Sequence, residues 1–175
     1  MDVFVEQIIT RRADTRATIA KIAILVGTAA VCAACATAAL MFFGHPISLL
    51  AIAAIVGAIW LGNSIVKGQH VEYEYILTNN TVNKELDIDK IMGRDKRKRM
   101  VTLKLSQAEK FGVYAPETAE SADTTVSAHD NTYTNMWYLV VKHETHGKVL
   151  LLFNPNDDLA AKLNAALPPR AKAKL

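Results

Sequence analysis

The fold is decided by residues 22–66, which read IAILVGTAAVCAACATAALMFFGHPISLLAIAAIVGAIWLGNSIV. Residues 22–43 and 47–66 are two apolar runs without Asp, Glu, Lys or Arg, and only the tripeptide Gly44–Pro46 separates them. At about 1.5 Å rise per residue, each run is long enough as a helix to cross a hydrocarbon layer of roughly 30 Å. The sequence therefore predicts a transmembrane helical hairpin over residues 21–67.

Basic residues flank the apolar runs at their outer ends only. Lys67 follows the second run, the connecting turn contains neither Lys nor Arg, and the first run is preceded by Arg11, Arg12, Arg16 and Lys21. Cytoplasmic segments next to membrane helices carry an excess of Lys and Arg. We therefore expect both chain termini in the cytoplasm and the connecting turn on the outside.

Small residues recur every four positions in both runs. The first row is Ala30, Ala34 and Ala38, and the second row is Ala54, Ala58 and Gly62. Rows of this kind allow helices to approach each other closely in lipid. They indicate either packing of the two helices on each other, which we favour, or contact with a further subunit.

An N-terminal segment, residues 1–20, precedes the hairpin. Val3, Phe4, Ile8 and Ile9 fall at helical spacing, opposite charged residues. This pattern predicts a short amphipathic helix that lies on the inner membrane surface. The same apolar face would equally pack against the polar domain, and the sequence leaves both alternatives open.

Residues 70–168 form a polar domain that is predicted to contain consecutive strands. In residues 71–77 apolar side chains alternate with Glu72 and Glu74, which is the period-two pattern of a half-buried strand. Further strands are predicted at residues 86–89, 96–105, 111–115, 136–143 and 148–153. Residues 116–135 are rich in Ser, Thr and Ala, and they predict a flexible loop.

Strict alternation along residues 96–105 predicts which side chains share a face of the sheet. One face is expected to carry Arg97, Arg99, Val101, Leu103 and Leu105. The other face is expected to carry Lys96, Lys98, Thr102 and Lys104.

The chain changes to helical periodicity after the last predicted strand. Asn154 is a candidate N-cap and Pro155 suits the first helical position. The apolar stripe of this helix is Leu159, Leu163 and Leu167. Residues 169–175 are predicted to be a basic tail that is disordered from residue 170 onward. The domain is thus expected to be α+β, with an antiparallel sheet of about six strands closed by a C-terminal helix. This arrangement is similar to a pleckstrin-homology-like (PH-like) domain, which has seven strands.

Four motifs, in this order, resemble an uncharacterised family of small bacterial membrane proteins. They are Val71-Glu72-Tyr73-Glu74-Tyr75, Leu86-Asp87-Ile88-Asp89-Lys90-Ile91, Lys96-Arg97-Lys98-Arg99 and Phe153-Asn154-Pro155-Asn156. The resemblance covers nearly the whole chain and implies a two-helix hairpin joined to a small cytosolic domain in the bacterial inner membrane. Members usually have Glu at the position of Asn154. The family is a domain of unknown function, so the resemblance implies a topology and a fold but no activity.

Five basic residues form the candidate binding site, and they are Arg94, Lys96, Arg97, Lys98 and Arg99. Next to a membrane surface, each would contribute about 1 kcal/mol of attraction to anionic lipid headgroups. Cross-strand ion pairs would neutralise the same cluster, and the candidate partners are Glu72, Glu74, Asp87 and Asp89. We favour ion pairing and keep lipid contact as the alternative.

Catalytic, metal-binding and cofactor-binding motifs are not expected in this chain. Cys32 and Cys35 lie in the first apolar run without His, Asp or Glu, and His143, Glu144 and His146 sit in a predicted turn. The net charge of +3 is too small to indicate nucleic acid. We expect a non-enzymatic membrane protein whose domain binds protein or anionic lipid. The alternative is a non-catalytic subunit of a larger membrane complex.

Overall fold

The computed structural model describes residues 3–12, 14–68, 70–93, 96–115, 121–132 and 134–173. The chain forms two compact units, each of which is described by itself. One unit is Ala13–His70, and the other combines Met1–Arg12 with Val71–Leu175. The helical unit is therefore an insertion in the sequence of the second unit, close to its N-terminus.

Two long helices make up the inserted unit. Helix α1 spans Thr15–Met41 and helix α2 spans Pro46–Gly68, so the predicted helical hairpin is confirmed. The Asp14 side chain caps α1 by accepting a hydrogen bond from the Thr15 amide at 2.7 Å, which places the helix start seven residues before the apolar run. Both helices are long and apolar enough to cross a membrane, with a mean hydropathy of 2.2 in each.

Gly62 of α2 lies against the Thr28 side chain of α1. A Cβ atom on Gly62 would lie 2.6 Å from the Thr28 hydroxyl oxygen, so only glycine allows this contact without movement of the threonine side chain. Of the predicted row in α2, Gly62 is buried and Ala58 half-buried, but Ala54 is exposed. Ala30 and Ala34, by contrast, are exposed. Only Ala38 of the predicted alanine row of α1 is half-buried, so most of that row is not covered by α2.

Eight strands in two sheets are described in the other unit. The first sheet has the order β1-β2-β3-β4 and is antiparallel, and its strands are Val3–Thr10, Val71–Asn79, Lys84–Met92 and Lys96–Lys104. The second sheet has the order β5-β7-β8-β6, and its strands in chain order are Ala108–Val113, Thr124–Ala128, Trp137–His143 and Gly147–Phe153. The prediction of one antiparallel sheet of about six strands is wrong, because two strands were not recognised and the strands divide between two sheets.

Strand β1 corrects the prediction of an amphipathic helix at the N-terminus. Val3–Thr10 pairs with β2 over its whole length, from Val3 opposite Asn79 to Thr10 opposite Glu72. Burial alternates along it with period two, and Val5 packs against the core. Val and Ile at 3, 5, 8 and 9 are compatible with a helical period and with a strand period over so short a segment. The segment forms a strand because the edge of β2 is available for pairing. Packing against the polar domain is thus the alternative that the structure shows.

Strand β6 lies in the segment that was predicted to be a flexible loop. Thr124–Ala128 pairs in parallel with β8, with Thr124 opposite Val149 and Ala128 opposite Phe153. Parallel strands cannot be joined by a hairpin turn, so the sequence around β6 contains no hairpin pattern that would predict this strand. Residues 116–120 of the predicted loop lie outside the described residues.

A β-bulge in β4 corrects the predicted face assignment. Val101 pairs with Ile88 whereas Arg99 pairs with Asp89, so Met100 is an extra residue without a partner of its own. Val101 and Leu103 are buried on the core side, and the two arginines lie on the opposite face of the sheet. The predicted common face for Arg97, Arg99, Val101 and Leu103 is therefore wrong.

The core lies between the two sheets and helix α3, which spans Asp157–Ala166. Tyr75 and Phe153 meet edge to face in it, with ring centroids 5.6 Å apart. Leu159, Leu163 and Leu167 are buried, which confirms the predicted apolar stripe. The two sheets and one helix thus share a single hydrophobic core.

Asn154 is not the N-cap of α3, contrary to the prediction. Asn156 caps the helix by accepting a hydrogen bond from the Leu159 amide at 2.8 Å. The Asn154 side chain is buried and ties down the preceding loop, because its Nδ2 donates to the Thr134 and Asn135 carbonyls at 3.1 Å each. Its Oδ1, the atom that would cap a helix, accepts a hydrogen bond from the Asp130 amide at 3.1 Å instead.

The basic tail is ordered as far as residue 173, so the prediction of disorder is wrong for that part. Pro169–Ala171 forms a 3₁₀ turn, and Ala171 is buried in the core. The Asn164 side chain exchanges two hydrogen bonds with the backbone of Ala173. Residues 174 and 175 lie outside the described residues.

Candidate functional site

The candidate basic cluster lies at the end of the first sheet where the chain connects to the hairpin. Met92, the last residue of β3, pairs with both Lys96 and Val71, and Val71 is the first residue of β2. Val71 follows the last residue of α2, Gly68, by three residues, which span at most about 11 Å of chain. The cluster therefore lies at the end of the first sheet that directly follows α2 in sequence.

Arg97 and Arg99 are paired with carboxylates. Arg97 Nη2 donates to Glu74 Oε1 at 2.9 Å. Arg99 Nε donates to Asp89 Oδ1 at 3.0 Å, and its Nη1 lies 3.2 Å from Asp87 Oδ2. The hydrogen bond to Asp89 is the main reason why the pKa of Arg99 is raised. Both arginines are thus engaged within the sheet.

We define the acidic face as Glu6, Glu74, Asp87 and Asp89, that is, the three carboxylates of these pairs and the Glu6 neighbour of Glu74. Glu74 is fully buried and Asp89 is 3% exposed. Burial is the largest cause that raises the pKa of Glu74, the Glu6 side chain raises it further, and Arg97 lowers it. Arg97 and Arg99 are therefore the guanidinium partners of three buried or half-buried carboxylates, Glu74, Asp87 and Asp89.

The lysines of the cluster lie on the other face. We define the lysine cluster as Lys90, Lys96 and Lys98, because Lys98 pairs with Lys90, and Lys96 lies two residues away on the same face. Lys96 and Lys98 are exposed, and within the described part of the chain none of the three lysines forms an ion pair. Like charges directly opposite each other repel. This cluster is therefore positively charged without compensation from the sheet.

The structure thus divides the predicted site. It brings Lys96 and Lys98 together on one face, it places Arg97 and Arg99 on the other, and Arg94 lies outside the described residues. Lys90 was missed by the sequence reasoning. Only the register of β3 against β4 reveals it, and no local pattern carries that information.

The side chains of the turn between β7 and β8 make hydrogen bonds to the turn backbone and to Lys104. His143 Nδ1 accepts hydrogen bonds from the Thr145 and His146 amides at 3.1 and 3.3 Å. Glu144 Oε1 accepts one from Lys104 at 2.7 Å, and this contact lowers the pKa of Glu144. Among the residues that the structure describes, no group of three His, Cys, Asp or Glu side chains is placed to hold a metal ion.

Two sheets with a C-terminal helix on a common core agree with the PH-like arrangement that the sequence predicts. The chain matches the model of a family described as a bacterial PH-like domain (DUF6106) over residues 1–172, and it belongs to that family. The predicted family membership is thereby confirmed. No curated protein and no solved structure gives a match to the chain.

Proposed function

We propose that this protein is a non-enzymatic, multi-pass protein of the bacterial inner membrane whose cytoplasmic PH-like domain binds anionic lipid headgroups through the lysine cluster. The observation that carries the proposal is the separation of charges in β4. Its arginines are held by the acidic face, while Lys96 and Lys98 are exposed and unpaired in the described structure. The ion pairing favoured from the sequence therefore accounts for the arginines only.

The pairing of β1 with β2 supports the topology. These strands flank the hairpin in sequence, and they form one antiparallel ladder from residue 3 to residue 79. A continuous ladder requires that both strands lie on the same side of any membrane that α1 and α2 cross. The basic residues next to the helices favour the cytoplasmic side.

The energetics support attraction to a negatively charged surface. Each lysine near such a surface contributes about 1 kcal/mol, so three would contribute roughly 3 kcal/mol. In the proposed topology, the connection of two residues between α2 and β2 would keep the cluster at high local concentration near the surface. A modest attraction is therefore enough to hold this end of the sheet on anionic lipid.

The test compares lysine acetylation of the full chain in two kinds of nanodisc, one of phosphatidylcholine and one containing phosphatidylglycerol. Lys96 and Lys98 are expected to react several-fold more slowly in the anionic discs, and added salt should reverse the effect. Lys84 and Lys172 are exposed lysines outside the cluster and are the matched controls. Equal rates in both discs at Lys96 and Lys98, or the same slowing at the controls, would contradict the proposal.

A second candidate function is a subunit of a larger membrane complex. The exposed Ala30 and Ala34 favour it, because the hairpin leaves this row of small residues uncovered and a further helix could approach there closely. Purification in mild detergent with mass measurement of the particle tests this candidate. A stoichiometric membrane partner that is lost on Ala34→Leu substitution, but not on Ala53→Leu, supports it, and a lone monomer contradicts it.

A further inference from the structure

Two adjoining cavities of about 190 and 540 Å³ lie where the end of β4 meets the β7–β8 turn. Both are lined by Gln107, Lys142, His143 and Glu144, and the larger one also by Arg170. We call them together the distal cavity. Lys104 lies eight residues along β4 from Lys96, a separation of about 25 Å along a strand. The distal cavity is therefore remote from the lysine cluster.

The charges of the distal cavity do not balance. Its two carboxylates already have lysine partners, since Glu144 is 2.7 Å from Lys104 and Glu109 is 3.8 Å from Lys148. Lys142 and Arg170 remain as cations that have no carboxylate partner among the described residues. The lining thus has an excess of positive charge that is concentrated on these two side chains.

The Arg170 side chain contacts two backbone carbonyls. Its Nε donates to the Ala108 carbonyl at 3.3 Å and its Nη2 to the Ser106 carbonyl at 3.5 Å. Ala108 lies directly opposite Val141 in the sheet, next to Lys142. A guanidinium group has five N–H donors, so these two bonds leave three for a ligand. The backbone therefore positions Arg170 beside Lys142.

A third donor comes from the histidine of the turn. His143 Nδ1 accepts two backbone hydrogen bonds, so the proton of the neutral ring is on Nε2. The cavity lining thereby combines a guanidinium, an ammonium, an imidazole N–H and the amide of Gln107. Such a set suits a group with several acceptor oxygens around one centre.

We propose that the distal cavity binds a small soluble phosphate monoester, with Arg170 and Lys142 contacting the phosphate oxygens and His143 donating from Nε2. The volume of the larger cavity falls in the range of about 300–1,000 Å³ that small-molecule sites occupy. The bound phosphate would supply the negative charge that the lining lacks. This site is additional to the lipid contact and does not depend on it.

The test uses the full chain in zwitterionic detergent, so that no anionic lipid is present. The probes are inorganic phosphate and glycerol 3-phosphate, with chloride at matched ionic strength as the reference. Tm and the amide hydrogen exchange of residues 142–147 are measured. Both phosphates are expected to raise Tm and to slow exchange in this segment, and glycerol 3-phosphate should act at the lower concentration.

The decisive variant is Lys142→Gln, because Lys142 is exposed and its replacement leaves the core intact. It should weaken the apparent affinity for either probe about tenfold, whereas Lys84→Gln, an exposed lysine outside the cavity, should not. Arg170→Gln should abolish the response. The proposal is overturned if chloride matches phosphate, if the native chain does not respond, or if Lys142→Gln responds like the native chain.

Discussion

The two carboxyl oxygens of Glu74, in the middle of the acidic face, differ in their hydrogen bonding. Its Oε1 accepts a hydrogen bond from Arg97, but its buried Oε2 has no hydrogen-bond donor in the described part of the chain. Burial and the neighbouring Glu6 side chain raise the pKa of Glu74. A proton retained on Glu74 and shared with Glu6 would satisfy the orphaned oxygen. We infer that this carboxyl titrates above its ordinary range.

The pH dependence of folding tests this inference. A carboxyl with a raised folded-state pKa stabilises the fold fully below its unfolded pKa of 4.5, and this contribution is lost as pH rises through the folded-state pKa. Glu74→Gln should therefore remove part of the fall in the free energy of unfolding above pH 4.5. Denaturation at several pH values, followed by Trp137 fluorescence in a Trp60→Phe background, measures the difference.

Glu144→Gln provides the control with the opposite sign. The pKa of Glu144 is lowered by its hydrogen bond to Lys104, so its contribution is present above the unfolded pKa and lost as pH falls through the folded-state pKa. The effect is expected to be small because this pair is exposed. Parallel profiles for Glu74→Gln and the native chain would show that Glu74 is ordinarily ionised.

Residue types in the candidate site were predictable, but their partners were not. The alternation of Glu72 and Glu74 with Tyr73 and Tyr75 identifies a strand and its acidic side. Whether an arginine reaches Glu74 depends on the register of two intervening pairings and on a bulge at Met100. Register is a long-range property, so the charge pattern alone favours pairing but does not identify which cations are paired.

The bulge is the element-scale feature that separates the two kinds of cation in β4. Met100 has no partner on β3, and this extra residue turns Arg97 and Arg99 away from the face of Val101. A regular strand of the same sequence would place the arginines on the core face. The register therefore predicts different results for two single deletions in β4.

Deletion of Met100 should preserve the pairing of Arg99 with Asp89, because it removes only the residue without a partner. Its free energy of unfolding should lie within about 1 kcal/mol of that of Met100→Ala, since both lose the same side-chain packing. Deletion of Lys98 should instead turn Arg97 to the core face and remove its bond to Glu74, at a further cost of about 1–2 kcal/mol.

Chemical denaturation of the three variants measures these differences, and a double-mutant cycle between Arg99 and Asp89 in the Met100 deletion checks the register directly. Retained coupling is the expected outcome. If the Met100 deletion loses that coupling while the Lys98 deletion keeps the Arg97 bond, the bulge is placed wrongly.

Secondary structure was predictable where a pattern is long or local. The α1–α2 hairpin and the β7–β8 hairpin follow from apolar length and from adjacent strands joined by a short turn. The prediction for Val3–Thr10 failed because the apolar side chains of these eight residues fit the periods of a helix and of a strand equally well. The prediction for Thr124–Ala128 failed because its partner strand β8 is parallel and is not joined to it by a hairpin turn. Both strands depend on an edge supplied from elsewhere in the fold.

At the scale of the whole molecule, the domain is discontinuous in sequence. Its first strand precedes the hairpin, and the rest of the domain follows it. The Arg11 amide donates to the Val71 carbonyl at 2.9 Å, so the two points where the chain leaves the domain are adjacent. A short turn could close this gap in place of the helical unit.

A spliced chain in which a four-residue Gly-containing turn replaces residues 13–70 is expected to stay soluble without detergent and to unfold cooperatively. The turn would join β1 to β2 as an ordinary hairpin. A chain that begins at Val71 lacks β1, exposes the edge of β2, and is expected to aggregate. Circular dichroism melting and size-exclusion chromatography compare the two. Equal stability of both chains would show that β1 is dispensable.

The placement of β1 has a consequence for the biogenesis of the protein. Roughly 60 residues separate β1 from its partner, which the ribosome makes about 3 to 12 s later at 5–20 residues per second. In the proposed topology, β1 must wait unpaired until the hairpin has been threaded through the bilayer and back. If only one of the two helices crosses the bilayer, β1 and β2 lie in different compartments and cannot pair. Closure of the sheet therefore requires that both helices are inserted.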